Sequence, residues 1–237
     1  MKQINDVIAI DGPAASGKTT VASLLAKRLG LLNINTGAMY RALSLKAIRA
    51  GIQAGDSGKI GLLLDSTDIS FRRRADGSTF VTLDGEDVSE QIRSQEVARA
   101  ASIIARLPAV RHYMVSRQKK IASHMRAVAE GRDTTTVVFP KARHKFFIDA
   151  PLETRARRRY KELHAQGSSI SLEQVKEDVG TRDVADCSRK LSPLTRDPDA
   201  VIIDSTNLTP EQVVEKIEEH LGQSLKREAN PPPAEEG

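Results

Sequence analysis

Gly12-Pro13-Ala14-Ala15-Ser16-Gly17-Lys18-Thr19 fits the spacing G-x-x-x-x-G-K-[ST]. Residues of these types in this order grip phosphate: the backbone N–H groups of a small-residue loop close around the anion, the lysine neutralises it, and the hydroxyl supports Mg²⁺. With Thr20, the loop from Gly12 to Thr20 is expected to seat a triphosphate, Thr19 being the metal-facing residue. What receives a phosphate from such a loop is a separate question. A hydroxyl acceptor benefits from a base to take its proton, whereas a phosphate monoester, with a second pKa of about 6, is already mostly dianionic and needs none. Its obstacle is repulsion between two anions, which cationic clamps and geometry must overcome. Arginines in polar, turn-like sequence are then the signature to seek. Three stretches carry them: Thr36-Gly37-Ala38-Met39-Tyr40-Arg41, Glu130-Gly131-Arg132-Asp133, and Thr181-Arg182-Asp183 through Asp186 to Arg189.

These residues need a scaffold. Val7-Ile8-Ala9-Ile10 reads as a buried strand before the loop, and Val21 to Leu29 as a helix stopped by Gly30, so the loop opens a helix whose N-terminus favours anions. Further strand-like runs at Leu31–Ile34, Val128–Ala129, Phe146–Ile148 and Val201–Ile203 alternate with helix-periodic sequence, the pattern of a parallel α/β sheet. Capping boxes mark helix starts at Ser171 with Gln174 and at Thr209 with Gln212. One segment breaks the alternation. Ile69 to Arg74 and Thr79 to Leu83 flank Ala75-Asp76-Gly77-Ser78 as a hairpin, and Asp84-Gly85 offers a second turn. The expected organisation is a core over residues 1–55 and 96–225, an antiparallel lobe inserted at 56–95, a helical lid at about 152–190, and a disordered tail over 226–237 containing Pro231-Pro232-Pro233. The Arg72-Arg73-Arg74 run reads as a solvated face of the hairpin, and Arg155 to Arg159 as a basic helix face in the lid.

Composition narrows the class. At 237 residues and 39% hydrophobic the chain can bury one sizeable core. No apolar run approaches the roughly 20 residues that span a bilayer, and the first strand leads straight into the phosphate loop, so a cytoplasmic protein is expected. A single cysteine, Cys187, excludes an intrachain disulfide, and the five histidines lack metal-ligand spacing. The net charge of +5 comes from 36 Lys+Arg against 31 Asp+Glu, and 22 of the 36 are arginine, which favours forked recognition of phosphate. Aromatics at 3% with no Trp leave little to stack on single-stranded nucleic acid.

The stretches GPAASGKTT, NTGAMYR, EGRDTTTVVFP, RDVADCSRKLSPL and DAVIIDST, in this order, resemble bacterial cytidylate kinases of the P-loop nucleoside monophosphate kinase family, from about Val7 to Leu221. The resemblance implies a P-loop kinase core with a parallel five-stranded sheet and flanking helices, the small antiparallel insertion lobe at 56–95 as a part that binds the nucleoside monophosphate, and a helical lid. It implies transfer of the γ-phosphate of ATP, with Mg²⁺, to CMP or dCMP by a cytoplasmic monomer that binds neither nucleic acid nor membrane. Matched position by position, Arg41, Arg132 and Arg189 would hold the acceptor phosphate with Thr36 nearby, and Arg182 and Asp186 would meet the sugar. Ser102, Arg111 and Asp133 would read the base. Arg157 and Arg158 would belong to the ATP-binding lid, and Lys18, Arg132, Arg182 and Arg189 would be the catalytic cations. Cytosine offers an amino donor at N4 and acceptors at N3 and O2, so a carboxylate and a guanidinium suit it, whereas uracil reverses the pattern at N3 and position 4.

Four positions depart from that pattern. Asn35 stands where an aspartate commonly precedes Thr-Gly-Ala, Thr134 and Thr135 replace a hydrophobic residue and a glycine, and Lys141 replaces an aspartate. If the glycine served a left-handed turn, a β-branched Thr135 would resist it and displace the loop that carries Asp133. Two rival readings remain at this level: a P-loop kinase for UMP, AMP or a hydroxyl substrate, and a regulatory nucleic-acid-binding NTPase using the same loop. A monophosphate screen separates the first, and a salt-sensitive RNA complex without phosphoryl transfer would favour the second.

Overall fold

The computed structural model describes residues 7–229, with side chains to residue 222. In chain order it begins with β1 (Val7–Asp11), α1 (Lys18–Leu29), β2 (Leu32–Asn35), α2 (Thr36–Arg49) and α3 (Ser57–Asp65). The hairpin β3 (Ile69–Arg73) and β4 (Thr79–Leu83) follows, then the short β5 (Glu86–Asp87), α4 (Gln95–Ile104), α5 (Pro108–Ala122) and β6 (Ala127–Gly131). A π-helical turn over Thr134–Val138 leads to β7 (His144–Asp149), α6 (Leu152–Ala165), α7 (Leu172–Cys187), β8 (Val201–Asp204) and α8 (Pro210–Ala229).

Five strands pair in parallel in the order β2-β6-β1-β7-β8. Both faces of this sheet are covered, which is why its strands read as continuous apolar runs rather than alternating ones. Side chains still alternate between two cores. Ala127 and Ala129 of β6 join Ile34, Met39, Leu43 and Met114 on one face, while Val128 joins Ile8, Ile10, Leu25, Phe146 and Ile217 on the other. The register sets Asp11 level with Gly131 and Phe147, so the loops after β1 and β6 leave the sheet side by side at its C-terminal edge. That edge is where α/β folds collect ligands.

The three strands β3-β4-β5 form the expected antiparallel sheet, with Asp84 (φ 50°) and Gly85 (φ 89°) both left-handed in the second turn. The inserted segment is not a separate body in its packing: Ile69, Phe71, Val81 and Leu83 lie in the same buried cluster as Met39 and Leu43 of α2. All three arginines of the 72–74 run are exposed, as expected of a solvated face. Two nonetheless have protein partners: Arg73 donates to the Gly30 carbonyl at the end of α1 (2.9 Å), and Arg74 pairs with Asp87 while its guanidinium lies 4.6 Å from the centre of the Phe80 ring.

Helices α6 and α7 pack against each other, and Leu163, Val175 and Val179 close over Ala14 of the phosphate loop. The capping box forms as read: the Gln174 N–H donates to Ser171 Oγ (3.2 Å) and the Ser171 N–H to Gln174 Oε1 (3.1 Å). The Thr209–Gln212 pair makes the same reciprocal bonds at the start of α8. That helix runs to Ala229, so residues 226–229, expected as the start of a disordered tail, continue it because nothing before Pro231 breaks a helix. The rest of the expected tail, 230–237, lies outside the described residues.

Candidate functional site

The phosphate loop is held from beneath. A Cβ on Gly12 would meet the Ile148 carbonyl at 2.1 Å, so only glycine lets the chain leave β1 so close to β7. Gly17 begins α1 in a left-handed conformation (φ 89°). Lys18 is buried, and its Nζ donates to the Pro13 carbonyl (2.9 Å) across the mouth of the loop. Burial, then the positive Arg132 and Arg182, lower its pKa to about 7. An anion is what would restore its charge. Ser16 Oγ is buried without a hydrogen-bond partner among the described residues, which is a further demand for an acceptor oxygen in the loop. Thr19 Oγ1 donates to Glu130 Oε1 (2.8 Å), so a hydroxyl and a carboxylate stand together where the loop meets β6. This oxygen pair suits Mg²⁺, which is bound through one or two protein oxygens together with substrate phosphates and water. Groups of three His, Cys, Asp or Glu that could hold a metal by themselves do not occur among the described residues.

Behind the loop, Asp11 is fully buried and satisfied by neutral donors. The N–H of Thr134 (2.9 Å) and that hydroxyl bond one carboxylate oxygen, and the N–H (2.7 Å) and hydroxyl (2.6 Å) of Thr135 bond the other. Burial pushes its pKa up, against the pull of those four bonds. This corrects the expectation for Thr135: it does not sit at positive φ, and its turn is π-helical, so a β-branched residue fits. The two threonines anchor the loop that carries Asp133 instead of displacing it. Asn35 likewise takes a structural role, capping α2 by accepting the Ala38 N–H (2.8 Å), and Lys141 lies exposed in the turn before β7.

The scattered arginines converge. Arg132 Nε donates to Asp186 Oδ2 (2.7 Å), and Arg189, one turn along, bonds Oδ1 of the same carboxylate. Burial pushes the Asp186 carboxyl up, but Arg132 and Arg189 outweigh it and hold the pKa below the usual range. Arg182 is open to solvent on one side, yet its confined guanidinium and neighbouring Arg132 lower its pKa to about 10. Burial also lowers the pKa of Arg41 and of Arg189, with Arg132 adding to both. Lys18, Arg41, Arg132, Arg182 and Arg189 therefore share one positive field around Glu130 and Asp186. The Nε atoms of Arg41 and Arg189 are buried without partners among the described residues. Thr36 closes the floor: its hydroxyl donates to the Glu130 carbonyl (2.9 Å), and a Cβ on Gly131 would meet it at 2.4 Å.

Beside this cluster, Arg111 of α5 is ion-paired with Asp133, both buried, and its guanidinium stands 5.6 Å from the Tyr40 ring centre. Asp133 thus pairs with Arg111 and not with its neighbour Arg132. Ser102 turns its hydroxyl back to the Ala98 carbonyl of its own helix (3.2 Å).

The arginine run of α6 splits by helical phase. Arg157 is exposed and bonds Glu153, and Arg158 reaches under the phosphate loop to Ser205 Oγ (3.0 Å) and the Ser16 carbonyl (3.5 Å). Of the run, Arg159 is the one whose charge is felt by Arg41 and Arg182. Sequence reading did not single out Arg159, Glu130, Asp11, Arg155 or Asp183. Glu130 and Asp183 stood inside stretches chosen for their arginines, and the spacing of Arg155 and Arg159, one helical turn apart, was the available signal for a shared face.

A profile of the cytidylate kinase family matches residues 8–223. The chain is 48% identical over 221 residues to the cytidylate kinase of Caldanaerobacter subterraneus subsp. tengcongensis, covering 93% of this chain and 96% of that protein. It is 48% identical over 210 residues to the cytidylate kinase of Pelotomaculum thermopropionicum, covering 89% of this chain and 93% of the relative. Among solved structures, an uncharacterized protein from Eubacterium ventriosum superposes with a TM-score of 0.50 at 13% identity over 94% of this chain and 99% of that one, a likeness of fold alone.

Proposed function

The chain belongs to the cytidylate kinase family, and we propose that its reaction is transfer of the γ-phosphate of ATP to CMP or dCMP, giving ADP and CDP or dCDP. It is a nucleoside monophosphate kinase that uses Mg²⁺ with ATP. The observation that carries this reading is Arg132, which bonds Asp186 of the acceptor cluster and at the same time lowers the pKa of Lys18 in the phosphate loop. Cation clamps for two anions meet in one place, as phosphate-to-phosphate transfer requires.

The ATP triphosphate lies along Ala15 to Thr20 with Lys18 recharged against its β- and γ-oxygens, and Ser16 finds its acceptor. Thr19 and Glu130 would hold Mg²⁺, which would supply positive charge to the phosphate oxygens. Arg41, Arg132 and Arg189 take the CMP phosphate beside Thr36, and Arg182 spans acceptor and transferred group. The buried Arg111–Asp133 pair reads the cytosine edge, the carboxylate accepting from N4 and the guanidinium donating to N3 or O2. Asp186 faces the sugar. Arg159 supplies the lid charge nearest the phosphates, while Arg158 braces the loop. Closure of α6 and α7 excludes water that would otherwise take the phosphate. The chain acts as a monomer on small nucleotides in the cytoplasm. No helix among the described residues is long and apolar enough to cross a membrane.

A screen of nucleoside monophosphates with ATP and Mg²⁺, following ADP release and the phosphorylated product, tests the reading. CMP and dCMP should be the best acceptors, with UMP weaker. Equal turnover of AMP, or of UMP, would overturn the assignment of the base.

A further inference from the structure

Ala14 has both polar groups of its backbone committed to the lid. Its N–H donates to Asp183 Oδ1 of α7 (2.9 Å), and its carbonyl accepts from Arg155 Nη1 of α6 (2.9 Å). Asp183 and Arg155 are themselves ion-paired, with side-chain exposures of 17% and 9%, and Arg155 Nε is fixed on the Ala150 carbonyl (2.8 Å). The methyl group of Ala14 is buried against Leu163, Val175 and Val179 from the same two helices. One residue of the phosphate loop is therefore gripped on all sides by the lid.

The other end of this grip is the acceptor cluster. Asp183 and Asp186 are three residues apart on α7, hence on one face and about 4.5 Å apart along the axis. Asp186 is the carboxylate that orders Arg132 and Arg189, and Arg182 adjoins Asp183 in sequence. Any shift of α7 along or about its axis moves the acceptor arginines relative to the loop that holds ATP.

We propose that Asp183 is a positioning residue for phosphoryl transfer: by binding the Ala14 N–H and Arg155 it sets the register of α7, and so of Arg182, Asp186 and Arg189, against the triphosphate. Neither nucleotide touches it. The inference rests on the phosphoryl-transfer reading above. A mismatch of about 1 Å between reacting groups costs on the order of a hundredfold in rate.

Three variants test it. Asp183→Ala removes both bonds, Asp183→Asn keeps an acceptor for Ala14 but loses the ion pair, and Asp183→Glu keeps the charge on a longer stem. The expected result is a fall of about 30- to 100-fold in kcat for CDP formation by Asp183→Ala, with KM for ATP and for CMP each within threefold of wild type. Asp183→Asn should fall in between. The ADP formed per CDP should rise in Asp183→Ala, because an ill-seated acceptor leaves the phosphate to water. Hydrogen exchange at the Ala14 amide, measured without nucleotide, should lose protection in Asp183→Ala and keep it in Asp183→Asn. Wild-type kcat and an unchanged ADP-to-CDP ratio in folded Asp183→Ala would overturn the inference, as would activity lost only in proportion to the unfolded fraction. A wild-type protein that makes no CDP would overturn the CMP reading instead, and the Ala14 amide would still report on the contact.

Discussion

The two anion sites of this enzyme are built in opposite ways. On the ATP side the protein supplies its own partners: Asp11 has four donors, Ala14 is bonded at both ends of its residue, and Thr19 is bonded to Glu130. On the side proposed for the acceptor, Arg41, Arg111 and Arg189 each keep a buried Nε without a partner among the described residues, and burial lowers the pKa of Arg41, Arg182 and Arg189. The first site is organised before its ligand arrives but for Ser16 Oγ, which is buried without a partner among the described residues. The second holds the larger unmet demand, which the proposed acceptor nucleotide would relieve. Lys18 lies on the border, placed by the loop, with its pKa lowered first by burial and then by Arg132 and Arg182.

The sharpest way to break this contrast is Lys18→Ala. It should lower CDP formation by about a thousandfold or more, since a preorganised cation is lost from the transferring group; a folded variant retaining a tenth of wild-type turnover in a coupled assay would defeat the assignment. Next, Arg189→Ala should raise KM for CMP by roughly 10- to 100-fold, the worth of a charged hydrogen bond, while calorimetry shows ATP affinity within threefold. If ATP affinity collapsed with it, the two sites would not be separately built.

A subtler test concerns protons. With the Lys18 pKa at about 7, the bare protein at pH 8 holds this amine mostly neutral, and triphosphate should restore its charge. ATP binding at pH 8 should therefore take up a substantial fraction of a proton per site, read by calorimetry in two buffers of different ionisation enthalpy. The same shift bears on stability. An unfolded lysine titrates near 10.4, so between about pH 7 and 10 the unfolded chain binds more protons than the folded one, and this group's contribution makes the bare protein more stable as pH rises through that window. Full stabilisation from it requires pH above the unfolded value.

Smaller effects probe the scaffold behind the two sites. Thr135→Val should cost about 1–3 kcal/mol, because Asp11 loses a donor it cannot replace, and thermal unfolding should report it. Asn35→Asp keeps the cap of α2 and adds charge at a helix N-terminus, for a gain of about 0.5 kcal/mol at low salt, detectable as a slight rise in melting temperature.

What sequence reveals follows how local each cause is. The phosphate loop is legible because anion binding needs contiguous backbone, and the hairpin and both capping boxes because turns and caps are settled within four residues. The arginine stretches are legible as chemistry, and Arg41, Arg132, Arg182 and Arg189 do converge. Asp11 was missed because its donors lie 123 and 124 residues away. Asp183 is hidden from sequence because its partners, the Ala14 N–H and the Arg155 guanidinium, lie 169 and 28 residues away and the first is backbone, which no residue type announces. Thr135 was misread through an assumed glycine geometry that the π-helical turn does not use. Within the basic run of α6, resemblance points to Arg157 and Arg158, and helical phase adds Arg159, which shares a face with Arg155.

The hairpin insert packs Ile69, Phe71, Val81 and Leu83 into the same cluster as Met39 and Leu43. Engineering a minimal enzyme by excising residues 56–95 would consequently uncover the helix that begins at Thr36 and bears Arg41. The shortened chain would inherit a raw hydrophobic wound beside its acceptor pocket, and would sooner precipitate than become a smaller catalyst.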